Sequence, residues 1–176
     1  MKFPGARLLA RIVLALVAVA AVVAAVAGCS LIEDSSKSDT AKAKVGDCIN
    51  VIESSAVDSK TEPVDCSSDK AVYKVAQSFD KKTECAADYT SYEETLSGGT
   101  TAFLCLAPNF KEGNCYNESS ATGYKHVECG SSEATFRVLK RIEGKADELL
   151  CGADADGFRL IETDPKVTFC TGKPKA

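Results

Sequence analysis

The chain has 176 residues, with 21 basic and 25 acidic side chains, one histidine and nine cysteines. Nine cysteines are too many for an ordinary reduced cytosolic chain and point to an oxidising compartment. A 45% hydrophobic and 26% charged composition excludes disorder and a multi-span membrane protein, and a net charge of −4 excludes a basic nucleic-acid binder.

Residues 1–28 read as a targeting segment. Lys2, Arg7 and Arg11 give a positive start, and Ile12 to Ala27 is an unbroken apolar run. That run is short for a transmembrane span, which needs ~20 residues. Val26-Ala27-Gly28-Cys29 resembles a bacterial lipobox. The resemblance implies diacylglycerol on Cys29 and cleavage before it. The alternatives are a plain secretory cut, which leaves Cys29 a thiol, and an uncleaved anchor helix. Cleavage after Gly28 leaves 18 basic and 25 acidic residues, a net charge of −7. Such a balance disfavours nucleic acid and anionic headgroups as partners.

Residues 29–44 read as the lipidated cysteine and a flexible tether. After Ile32 there is no large apolar side chain, and three acids offset three lysines. A flexible chain of this length spans roughly 20–23 Å on average.

Residues 45–172 contain an internal repeat. Lys44-Val45-Gly46-Asp47-Cys48-Ile49-Asn50 matches Lys111-Glu112-Gly113-Asn114-Cys115-Tyr116-Asn117. Pro63-Val64-Asp65-Cys66-Ser67-Ser68 to Val75 likewise matches His126-Val127-Glu128-Cys129-Gly130-Ser131 to Val138. Cys48, Cys66, Cys85 and Cys105 precede Cys115, Cys129, Cys151 and Cys170 by nearly one constant offset, too regular for chance. The units are 45–110 and 111–172, followed by a tail, 173–176. If both units pair their four cysteines internally and alike, three arrangements remain. The preferred one is local: Cys48–Cys66, Cys85–Cys105, Cys115–Cys129 and Cys151–Cys170. Each such loop is worth ~3 kcal/mol in the chain-entropy model. Zinc sites usually show closely spaced cysteine pairs, but the nearest neighbours here are Cys105 and Cys115, and no C-x-x-C occurs. Neither a zinc site nor dithiol exchange is therefore supported.

Within each unit the patterns predict an α+β fold, roughly β-β-β-α-β, small and stapled by disulfides. Ala71–Phe79 and Ala134–Ile142 alternate like strands. Lys82–Leu96 is predicted helical, because Cys85, Tyr89, Tyr92 and Leu96 share one helical face, with Thr83 as cap and Ser97-Gly98-Gly99-Thr100 as stop. Thr101–Leu106 is an apolar strand. Ala146–Ala153 is predicted as a shorter helix, Asp154–Gly157 as a turn, and Phe158–Ile161 and Val167–Thr171 as strands.

The lipobox, the Gly-Asp-Cys start, the Val-Asp-Cys-Ser-Ser-Asp-Lys-Ala-Val-Tyr-Lys-Val run and the Phe-Leu-Cys-Leu-Ala-Pro end together make the chain resemble an actinobacterial LppU-type lipoprotein. The resemblance covers residues 45–172. It implies a small, lipid-anchored domain on the extracytoplasmic face of the cell membrane, and it carries over no catalytic residue.

Chemistry-bearing motifs are sparse. His126 has no nucleophile placed with it by any motif and reads as a structural strand residue. Asp154-Ala155-Asp156-Gly157 recovers half a calcium loop but lacks the other ligands: Gly152 and Thr163 stand where they are needed. Glu93-Glu94 point apart on a helix, and Asn117-Glu118-Ser119 is a glycosylation sequon in form alone. Tyr73 and Phe136 occupy equivalent places and read as core, with a groove between the units as the alternative. No cofactor or metal is expected. The expected function is a non-catalytic binding or protein-interaction module, held to the membrane by Cys29, with an envelope protein or small ligand as partner. The alternative is a carrier of a small apolar ligand, lipid or glycan; an enzyme is a third reading.

Overall fold

A computed structural model describes residues 37–53, 60–120 and 123–174. The expected signal peptide and the expected lipidation site, Cys29, lie outside these residues. Two five-stranded antiparallel sheets are formed among them. The first contains β1 (Cys48–Glu53), β2 (Lys60–Val64), β3 (Tyr73–Phe79), β4 (Thr90–Leu96) and β5 (Gly99–Pro108), in the order β2-β1-β3-β5-β4. The second contains β6 (Cys115–Ser119), β7 (Gly123–Val127), β8 (Phe136–Glu143), β9 (Gly157–Ile161) and β10 (Val167–Gly172), in the order β7-β6-β8-β10-β9. The two orders are one topology, placed twice along the chain.

The fold is therefore nearly all β, which corrects the α+β expectation. The helix expected over Lys82–Leu96 is a loop followed by β4, which pairs with β5 from Thr90↔Leu106 to Leu96↔Gly99. The spacing of Cys85, Tyr89, Tyr92 and Leu96 fits a helix, but tertiary demand decides. The long apolar β5 is buried from Ala102 to Leu106 and takes a neighbour on each edge, β3 and β4. A helix in place of β4 would leave that strand with an unpaired edge. The residues expected to stop the helix instead turn a hairpin: Ser97 at φ 52° and Gly98 at φ 83° give the two left-handed positions that a tight two-residue turn requires. In the second unit the expected helix over Ala146–Ala153 is one 3-10 turn, Glu148–Cys151. Asp147 caps it by accepting from the Leu149 N–H, and Gly152 ends it at φ 68°.

Equivalent positions also make equivalent backbone bonds. Gly46 N donates to Val75 O and Val75 N to Asp47 O; Gly113 N donates to Val138 O and Val138 N to Asn114 O. The turn after the second cysteine repeats too, with Ser68 N to Asp65 O and Ser131 N to Glu128 O.

One core serves both sheets. Phe110, in the segment between β5 and β6, is fully buried and packs its ring on Tyr116, Tyr124, Phe136 and Phe169, with centroids 4.6–5.4 Å away. Burying a ring of this size against others at edge-on angles is among the larger single contributions a core residue makes. Tyr73 and Phe136 are both core residues. The Tyr73 hydroxyl crosses to the second sheet and accepts the Tyr124 N–H at 2.7 Å. Gly123 permits this approach: it has a φ of +74°, and a Cβ there would collide with the Tyr73 hydroxyl.

Ser38–Ala176 forms one compact unit holding this core and all four disulfides, the anatomy of a domain that folds on its own. The sequence assigns residues 38–44 to the tether, but they pack on the body. Thr40, Ala41 and Ala43 are buried, the Thr61 hydroxyl donates to Thr40 Oγ1 at 2.8 Å, and Ser38 N donates to Glu94 Oε1 at 3.0 Å. Small side chains fit against the sheet here, where the sequence shows none of the large apolar residues that advertise a core.

Candidate functional site

The four disulfides join Cys48 to Cys66, Cys85 to Cys105, Cys115 to Cys129 and Cys151 to Cys170. Each closes a short loop within its own unit, with partners separated by 18, 20, 14 and 19 positions respectively. The first of each unit pins the β2–β3 or β7–β8 connection to the start of β1 or β6. The second pins the segment before β4 or β9 to β5 or β10. The connections are thus stapled to β1 and β5 in the first sheet and to β6 and β10 in the second, the strands that flank the central β3 and β8.

Between the sheets lies an open groove of about 490 Å³. One wall is Lys74–Gln77 of β3 with Ala107–Asn109 at the end of β5, and the other is Arg141 and Glu143 of β8 with Ile161 and Val167. Val75 and Val167 are buried in the floor. Ala76 sits where the β3–β5 register shifts between Val75 and Gln77, a bulge that turns β3 along this edge. Tyr89 and the segment Thr163–Lys166 complete the lining.

Two polar devices tie the walls together. Asn109, itself buried, donates from Nδ2 to Ala71 O at 3.0 Å and accepts Arg141 Nη1 on Oδ1 at 3.0 Å. Arg141 Nη1 also donates to Phe110 O at 3.0 Å, Nη2 pairs with Glu143 at 3.2 Å, and the guanidinium lies 5.5 Å from the Phe169 ring centre. Its Nε is buried with no partner among the described residues. Next to the lining residue Tyr89, the Asp88 carboxylate accepts the Glu162 N–H at 2.7 Å, the Thr163 N–H at 3.0 Å and the Thr163 hydroxyl at 2.9 Å. Burial pushes the Asp88 carboxyl up, but the bonds from Thr163 and Glu162 outweigh it and hold it below the usual range. Burial raises the neighbouring Tyr89 phenol, helped by the negative charges of Asp88 and Asp164.

The residues singled out in the sequence lie elsewhere. His126 is on β7, its ring edge-on to Tyr116 at 5.8 Å. Glu93 and Glu94 are on β4 rather than a helix; Glu93 accepts from Lys82 and Thr100, and Glu94 from Ser38 N and Tyr92. Asp156, in the turn before β9, accepts the Lys173 N–H at 3.0 Å. In the sequon, Asn117 donates to Glu133 O and Glu118 pairs with Arg159. Among the described residues no group of three His, Cys, Asp or Glu is placed to hold a metal ion. Lys74, Asn109, Arg141 and Lys166 carry no motif, and nothing in their local sequence marks them.

The chain matches no family model, no curated protein and no solved structure.

Proposed function

We propose that this chain is a lipid-anchored, extracytoplasmic envelope protein of LppU type, and that its body is a non-catalytic binding module. Cys29 carries the lipid, and the groove between the two sheets is the binding surface. The groove carries this reading. Its volume falls within the ~300–1,000 Å³ of small-molecule sites, two of its wall strands, β5 and β10, carry disulfides, and its lining combines apolar residues with polar groups. Disulfides support an oxidising location. With two or three acyl chains, at ~0.8 kcal/mol per buried CH₂, attachment is stable. The alternative of a small-ligand carrier uses the same groove.

Site-specific photo-cross-linking in the cell tests the binding surface. A p-benzoylphenylalanine at Lys166, on the groove, is expected to give a discrete adduct; the same probe at Lys140, exposed on β8 and absent from the groove lining, is expected to give none. Equal labelling from both positions, or none from Lys166, overturns the groove as the working surface.

A further inference from the structure

The charge at the groove specifies a ligand class. Three cations line it, Lys74, Arg141 and Lys166, against two acids, Glu143 and Asp164. The chain as a whole has the opposite balance, with 25 acids to 21 bases. Glu143 is already committed to Arg141 at 3.2 Å. Lys74 and Lys166 are exposed and form no ion pair among the described residues. Arg141 is fixed in place by Asn109, the Phe110 carbonyl and Phe169. With Arg141 and Glu143 paired to each other, Lys74 and Lys166 outnumber Asp164 among the remaining charges of the lining. Beneath these groups the floor is apolar.

We propose that the groove binds a small amphiphile with an apolar body and one acidic headgroup, a carboxylate or a phosphate. The body lies on Val45, Ala107 and Pro108, the apolar lining residues with accessible surface, and the headgroup is held by Lys74 and Lys166. An apolar floor with a few placed charges is the common design of such sites, the floor supplying affinity and the charges orientation. This inference rests on the groove being the binding surface.

The test uses residues 38–176, the compact unit, made in an oxidising compartment and labelled for amide NMR. Four probes of equal chain length are titrated below their micelle concentrations: decanoate, decyl phosphate, decanol and decyltrimethylammonium. The expected result is shifts at groove amides such as Gln77, Arg141 and Val167. The acidic probes should bind about tenfold tighter than decanol, the ratio that one charge-assisted contact of ~1.4 kcal/mol gives. The order of decanoate and decyl phosphate then identifies the headgroup source. The variant Lys74→Gln/Lys166→Gln, altered only at exposed positions, should lose the preference while keeping decanol binding. Groove binding of equal strength for all four probes overturns the acidic headgroup and leaves the binding surface standing. Absence of groove shifts with every probe overturns the amphiphile proposal, and the in-cell cross-linking at Lys166 separately decides the fate of the surface.

Discussion

Asp88 is the residue whose chemistry most directly joins the two repeats. Its carboxylate takes three hydrogen bonds from Glu162 and Thr163, 74 and 75 positions away in sequence, on the loop between β9 and β10. Its folded pKa lies below the usual value of 3.8. A depressed carboxylate contributes stability that is present above its unfolded pKa and is lost as pH falls through the folded value. Asp88→Ala is expected to cost about 1 kcal/mol near neutral pH, at the low end for charged hydrogen bonds because solvent still reaches the group. The gap between variant and wild type should close as pH falls below about 4. Denaturant melts at pH 7 and pH 3 measure this; an unchanged gap at pH 3 contradicts the assignment. Asp88 was not legible in the sequence. It is one acid among 25, and only the fold brings it to Thr163.

At the scale of elements, the legible parts are those with a short period or a cysteine. β3 and β8 show alternation directly, with Tyr73 and Val75, and Phe136 and Val138, on the buried face. The apolar run of β5 is equally plain. The repeat was visible because its cysteines hold one offset, and both sheets show the strand order that a repeated unit requires. β4 was misread because four residues of its approach and strand fit a helical spacing, and a period cannot register that β5 needs a second edge partner. Phe110 was not distinguished from the other apolar residues of its segment, yet it plugs one core shared by both sheets. Phe110→Ala should therefore cost ~3–5 kcal/mol, the range for truncating a buried aromatic. Because the core is common, both sheets should melt together. Amide exchange followed residue by residue checks this; loss of protection confined to β6–β10 would contradict a shared core.

At the scale of the whole molecule, disulfides and core have separate tasks. Each disulfide acts within one unit, while Phe110, Tyr73, Asn109 and Asp88 act between units. The groove is a product of the second set, which explains why no sequence motif announces it: its walls come from β3, β5, β8 and β10. The Cys85–Cys105 and Cys151–Cys170 disulfides anchor two of those strands, β5 and β10, so a ligand of the kind proposed would meet walls that it does not have to organise.

The most direct measurement is native mass spectrometry of the intact chain, released gently from its own membranes, beside Ala107→Trp, which fills the groove. Unchanged far-UV dichroism and a mass eight hydrogens below the reduced form show that the variant has folded. The account predicts a stoichiometric extra mass, beyond the lipid proposed for Cys29, that is present on wild type and lost from Ala107→Trp. A wild-type protein carrying its lipid and nothing else, or an extra mass retained by the filled variant, contradicts the groove as the site of binding.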